Sequence, residues 1–248
     1  MTSIKRTIAA LSLMGLVIAI PAAIFAQSGI QGKWSLTAKG GLNIEISGDV
    51  HDGGTGTVLE LPTTVVPKSF SDIYKSALDW EFSLGYGVSA SGEILGIFSY
   101  RKTSAERIQV GDVADLPLFA LFDDWNETGI RLGYRQYFMM DSPLKPYLTV
   151  SGGVKFLKRV NSTLTVPAAE VVLADVPFYD KSTLLTFGAN VGLCYDVSPN
   201  FGILLDAGLQ YQGKPKQIEG LAGTGLENIN DVASRLYAPI SVGAVIRF

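Results

Sequence analysis

Eight stretches of strict two-residue alternation, connections that alternate short and long, and aromatics gathered at the stretch ends predict an all-β protein. The architecture they imply is an eight-stranded antiparallel up-and-down transmembrane β-barrel. Composition agrees. Of 248 residues 47% are hydrophobic, 17% are charged and 27 are glycine, and mean hydropathy is +0.27. A chain this apolar is not disordered, and one so rich in glycine is not a helical bundle. One cysteine and one histidine exclude a disulfide framework and a cysteine-based zinc cluster. A formal charge of -3 leaves no basic footprint for nucleic acid, so none is expected as a partner.

Residues 1–26 read as a signal peptide. Lys5 and Arg6 precede an apolar run from Ile8 to Ile20, then Pro21 and a small-residue stretch ending at Ala26. Cleavage is expected between Ala26 and Gln27. An uncleaved anchor is the alternative, because the apolar stretch to Phe25 nearly reaches spanning length, but Pro21 and the Ala22–Ala23 pair fit a cleavage region better. Beyond residue 26 no continuous apolar stretch is long enough for a membrane helix.

The first strand runs from Lys33 to Ser47. Its even positions are Trp34, Leu36, Ala38, Gly40, Leu42, Ile44 and Ile46, and its odd positions are polar or small. A period of two held this long gives one apolar and one polar face. The second strand sets Leu78, Trp80, Phe82, Leu84, Tyr86 and Val88 against Asp79, Glu81 and Ser83. The third carries Ile94, Gly96, Phe98 and Tyr100 on its outer face. The fourth sets Ile130, Leu132, Tyr134 and Phe138 against Arg131, Arg135 and Tyr137. Leu148, Val150, Val154 and Phe156 face away from Thr149, Ser151 and Lys155 in the fifth. In the sixth, Phe187, Ala189, Val191, Leu193 and Tyr195 oppose Asn190, Cys194 and Asp196. The seventh alternates from Phe201 to Tyr211 around Asp206, and the eighth from Leu236 to Phe248 around Ser241 and Arg247.

The joins around Ser91-Gly92, Asp141-Ser142-Pro143 and Ser198-Pro199-Asn200 are short, and those at about 48–77, 103–127, 158–183 and 213–235 are long. Tight periplasmic turns and long external loops produce this rhythm, so residues 27–248 are expected to form one outer-membrane barrel domain with four long external loops. With the apolar positions facing lipid, Trp34, Tyr86, Phe138, Tyr195 and Phe201 fall near one end of the barrel. Trp80, Tyr100, Phe156, Phe187 and Tyr211 fall near the other. Two aromatic girdles at headgroup level are the expected result.

Three segments carry a family resemblance: Gly129 to Phe138 (GIRLGYRQYF), Lys145 to Val154 (KPYLTVSGGV) and Thr186 to Asn200 (TFGANVGLCYDVSPN). Through them the chain resembles the eight-stranded outer-membrane barrel superfamily, which includes OmpA-type transmembrane domains and OmpW-like proteins. The resemblance spans residues 32–248. It implies location in the outer membrane of a Gram-negative envelope and contact with outer-membrane lipid. It also implies insertion by the outer-membrane assembly machinery, with Phe248 as the assembly signal. As the sequence stops at the last strand, the peptidoglycan-binding domain of full-length OmpA-type proteins is not expected. The matching motifs are specific for fold and location, and activity does not follow from them.

Catalysis is not expected. The single histidine, His51, lies among glycines in the first long loop, which favours a solvated turn over a preorganised catalytic base. Asp49, His51 and Asp52 could hold a cation weakly, but they lack a calcium-loop register, so no metal or other cofactor is expected. Cys194 is expected to fill the lumen as a small side chain. Ser69-Phe-Ser-Asp72 fits a loose capping box, and Phe70, Ile73, Tyr74 and Ala77 follow at helical spacing. Simple loop packing is the expectation there. The alternative is a two-turn helix that closes the barrel mouth or meets the outer leaflet.

Inward positions carry Lys33, Lys39, Arg101, Arg131, Arg135, Lys155 and Arg247 against Glu45, Asp79, Glu81, Glu93, Asp196 and Asp206. Near balance in so narrow a barrel points to paired charges rather than a selective ring. Lys39, Glu81, Arg131, Arg135 and Asp206 are expected to form one ion network near mid-height. The expected function is a non-enzymatic, envelope-structural or surface-interaction barrel with a largely closed lumen, its long loops available to an external ligand. The alternative is a narrow porin-like conduit for small or hydrophobic solutes, as in OmpW-like proteins.

Overall fold

The computed structural model describes residues 29–58, 60–138, 140–218 and 223–248, so the expected signal peptide, residues 1–26, lies outside the described residues. In chain order the strands are β1 (Trp34–Ser47), β2 (Asp49–His51), β3 (Gly54–Val58), β4 (Leu61–Val65) and β5 (Lys68–Ser69). One helical turn, α1 (Phe70–Ile73), precedes β6 (Leu78–Gly87), β7 (Gly92–Thr103), β8 (Ile108–Val113) and β9 (Leu116–Phe122). Then come β10 (Trp125–Tyr137), β11 (Leu144–Leu157), β12 (Val160–Val166), β13 (Val171–Tyr179), β14 (Ser182–Ser198), β15 (Phe201–Gln212) and β16 (Arg235–Arg247).

Eight of these strands close into a barrel in the order β1-β16-β15-β14-β11-β10-β7-β6, every pair antiparallel. The alternation sorts the wall as elementary pleating requires. Leu36, Phe82, Ile130 and Val242 point outward and are exposed, while their neighbours Thr37, Ser83 and Arg131 are buried inside. Trp34, Trp80, Tyr86, Tyr100, Phe138, Phe156, Phe187, Phe201 and Tyr211 are exposed on the outer wall. Tyr195 alternates with the buried Cys194 and Asp196, which places it on the same wall. Trp34 and Tyr86 are register partners with rings 5.0 Å apart. At the short-turn end Ile30 tucks under the barrel, its N–H donating to Ala90 O at 3.1 Å, and packs in a small core with Tyr137, Tyr147, Cys194, Leu204 and Val245.

The long connections depart from the expectation of loops. They build a second sheet of six strands, β13-β12-β9-β8-β4-β3, and a two-stranded ribbon, β2-β5. Two residues separate β9 from β10, β11 from β12 and β13 from β14, so three barrel strands continue almost directly into this lobe. Its core gathers Val50, Phe70, Ile73, Tyr74, Leu118, Phe122, Trp125, Phe178 and Tyr179. Ala114 and Asp115 turn the β8-β9 hairpin with φ of 48° and 65°, the left-handed pair of a two-residue hairpin turn.

The segment after Ser69 does form a helix, against the loop-packing expectation, although for one turn only. Ser69 donates from its backbone N–H and its hydroxyl to Asp72 Oδ2 at 2.9 and 2.7 Å, and these bonds hold the Asp72 carboxyl below its usual pKa. Phe70 and Ile73 are buried on the lobe side of the barrel mouth.

Val242 projects from the outer wall near the middle of β16, so Val242→Arg should destabilise the folded barrel by about 2–4 kcal/mol. Urea unfolding in lipid vesicles measures this, and unchanged stability would count against a lipid-facing position.

Candidate functional site: the lumen and the lobe above it

The lumen is filled by charged side chains in stacked layers. At mid-height Lys39 Nζ lies 2.6 Å from Glu81 and 3.0 Å from Asp206, and Arg131 Nη2 lies 2.5 Å from Glu81. Tyr147 and Ser241 donate their hydroxyls to Asp206 at 2.8 and 2.6 Å. Four of the five residues expected in one network therefore meet. Arg135 does not join their ion pairs. Strand register places it level with Glu93, one layer nearer the short turns, and it pairs with that carboxylate at 2.9 Å. It touches the middle layer through the ring of Tyr147, 4.9 Å from its guanidinium carbon.

Below this, Asp196 binds Lys145 and, at 2.8 Å, Arg247. Cys194 is buried here as a free thiol, donating to Asp196 at 3.3 Å. Above mid-height the centre is Glu127, which was expected in a loop. It accepts from Lys155 at 2.6 Å, Trp125 Nε1 at 2.9 Å, Gln212 at 2.9 Å and Arg235 at 3.2 Å. Arg101 sits 2.5 Å from Glu45 in the same layer. Lys145, Glu127 and Arg235 extend the lumen set beyond the residues read from sequence, because β10, β11 and β16 run past the expected strand ends. The space left among Lys39, Glu81, Arg131 and Lys155 is about 30 Å³, room for a water and little else.

The mouth is shut by aromatic packing. Arg235 lies under the Phe70 ring at 4.7 Å and beside Trp125 at 5.0 Å, so α1 rests directly on the uppermost charged layer. Of the two helical alternatives, closing the mouth is the one that the structure adopts.

His51 also departs from expectation. It is not in a solvated turn: it is 2% exposed on β2, with its ring centre 6.2 Å from Phe122 and 6.1 Å from Phe178. Its Nδ1 lies 3.1 Å from Asp52 O, and a carbonyl can only accept, so Nδ1 carries the proton and Nε2 is left as an acceptor. Burial lowers the His51 pKa below 6.5, which keeps the ring neutral. Burial likewise raises the Tyr74 and Tyr179 phenols of the lobe core. His51 lines an apolar cavity of about 190 Å³ beneath the six-stranded sheet, with Val65, Val110, Leu118, Phe122, Leu164 and Phe178. Among the described residues no cluster of three His, Cys, Asp or Glu could hold a metal ion.

These features belong to a closed eight-stranded antiparallel barrel with a structured lobe on one rim. No family model and no curated protein matches the chain. The solved structures it is similar to include outer-membrane β-barrel proteins. Outer membrane protein OprG of Pseudomonas aeruginosa is 13% identical, with a TM-score of 0.48 over 90% of this chain and 99% of that one. Neisserial surface protein A is 15% identical, with a TM-score of 0.45 over 88% of this chain and 100% of that one. Ail, the attachment invasion locus protein of Yersinia pestis, is 15% identical, with a TM-score of 0.38 over 88% and 100%. At these identities the likeness is one of fold.

Glu127→Ala would strand Lys155 and Arg235 without their shared carboxylate and should cost about 3–5 kcal/mol, read by urea unfolding in vesicles. His51 gives a pH dependence of defined sign. Its folded pKa is depressed, so below pH 6.5 the unfolded chain binds the proton more readily than the folded one. Its contribution to lobe stability is full above that pH and falls below it, by at most about 1.4 kcal/mol per pH unit. Amide protection factors in β8 and β9, corrected for the pH dependence of the intrinsic exchange rate, should fall on acidification, and His51→Phe should flatten the response.

Proposed function

We propose that the chain is a non-enzymatic integral outer-membrane protein whose barrel is a sealed anchor and whose lobe is the working surface. The observation that carries this is the lumen: its charges pair layer upon layer, from Asp196 through Glu93 and Glu81 to Glu127. Pairs of this kind hold one another in place, because releasing one partner would leave a desolvated ion behind. The outer wall supports a lipid setting, with an exposed apolar belt that includes Leu42, Leu132, Leu185 and Val242 between the two aromatic girdles. Export through residues 1–26, outer-membrane lipid as solvent and folding by the outer-membrane assembly machinery with Phe248 as signal follow from the same reading.

His51 supports the absence of catalysis. The one hydrogen bond it makes among the described residues goes to a backbone carbonyl, so no described carboxylate orients the ring as a base, and the Thr63 and Ser162 hydroxyls of the same cavity donate to backbone carbonyls. The conduit alternative needs an open path, and both the charged layers and α1 stand across it.

Single-channel recording on refolded protein tests the sealed anchor. No steady conductance is expected from the unmodified chain, whereas Glu81→Ala, which takes the carboxylate from Arg131 and leaves Lys39 with Asp206 alone, should admit intermittent ion flow. A large, steady conductance from the unmodified protein would overturn the sealed anchor in favour of the conduit.

A further inference from the structure

We infer that the lobe cavity is a binding site for one small, neutral, largely apolar molecule carrying a hydrogen-bond donor, a ring-sized alcohol or phenol. This rests on the lobe being the working surface and names what it would hold. The size comes first. At about 190 Å³ the cavity is somewhat larger than the roughly 150 Å³ at which a dry apolar cavity takes up benzene. Its walls come from all four long connections, through residues such as Val65, Leu118, Leu164 and Ile229. Among the described residues no Lys, Arg, Asp or Glu lines it, so a carboxylate or an ammonium would be desolvated there without a counter-ion from them.

The polar groups in the wall select further. Asn230 is 3% exposed, and its Nδ2 donates to Phe178 O at 2.8 Å. That bond fixes which way the amide faces, and Oδ1, without a partner among the described residues, is shielded from contact as well. The hydroxyls of Thr63 and Ser162 already donate, to Leu61 O at 3.2 Å and to Val176 O at 3.4 Å. His51 Nδ1 donates to Asp52 O, so its Nε2 can only accept. What the wall still offers a ligand is an acceptor, the Nε2 of His51. A hydroxyl on an apolar ring satisfies it, and a hydrocarbon of the same shape does not.

The test uses the full chain in lipid nanodiscs and calorimetric titration with 4-ethylphenol, ethylbenzene and 4-ethylbenzoate. Saturable one-site binding of 4-ethylphenol is expected, at least tenfold tighter than that of ethylbenzene, with no binding of 4-ethylbenzoate. His51→Phe, which removes the acceptor and keeps an aromatic ring, should bring the phenol down to the hydrocarbon's affinity. Leu118→Trp, which fills the cavity, should abolish both. Equal affinities for phenol and hydrocarbon on the unmodified chain, or phenol binding that survives Leu118→Trp, would overturn the inference whether or not His51→Phe folds. Failure here leaves the conductance result untouched, so the two readings can fail separately.

Discussion

The interior of an eight-stranded barrel is only as wide as the side chains that fill it, and this one is filled with charges. In so narrow a space each ion must find its partner across the lumen or remain unsolvated. Lys39 reaches from β1 to Glu81 on β6 and to Asp206 on β15, so one ammonium ties three strands together. Arg247 and Lys145 share Asp196 in the same way lower down. The lumen is therefore both the obstacle to passage and a cross-brace for the wall.

The lobe inherits its footing from that arrangement. Glu127 takes the Trp125 indole N–H as well as two cations, and Arg235 supports Phe70 from beneath. Phe70 and Trp125 meet edge to face, with ring centres 5.0 Å apart, and Tyr74 and Tyr179 complete the cluster. An aromatic core thus sits directly on an ionic one. Three barrel strands continue upward almost without interruption, so the cavity above is held by elements anchored in the wall rather than by free loops.

The barrel was legible in the sequence because a period of two writes the inner and outer faces of each strand one residue at a time. Charges level with one another, such as Lys39 and Glu81, could be placed together from register alone. Arg135 could not, because its partner depends on how far it stands from Arg131 along the strand. Glu127 and Arg235 were hidden by strand ends drawn too short. The lobe was hidden by its own chemistry: Pro62, Pro117 and Pro177 stand inside strands that a proline argues against. Its β8-β9 hairpin turns on Ala114-Asp115 rather than on the glycine or asparagine that usually signals such a turn. His51 looked solvated beside its glycines, and the rings that bury it come from Phe122 and Phe178, far along the chain.

Barrel closure carries a consequence for how the chain folds. Seven of the eight barrel seams join strands that follow one another around the wall. The eighth joins β1 to β16, where Ser35 pairs with Arg247 and Trp34 exchanges backbone hydrogen bonds with Phe248 in both directions, each 2.9 Å. Near neighbours pair early, and the most distant seam pays its loop-closure entropy last. Until it shuts, β1 and β16 are bare edges able to take a strand from another chain. The Lys39–Asp206 pair spans that seam, with β16 lying between its two strands. It can form only when the barrel has closed, so the lumen becomes electrically complete in the same event that removes the last sticky edge.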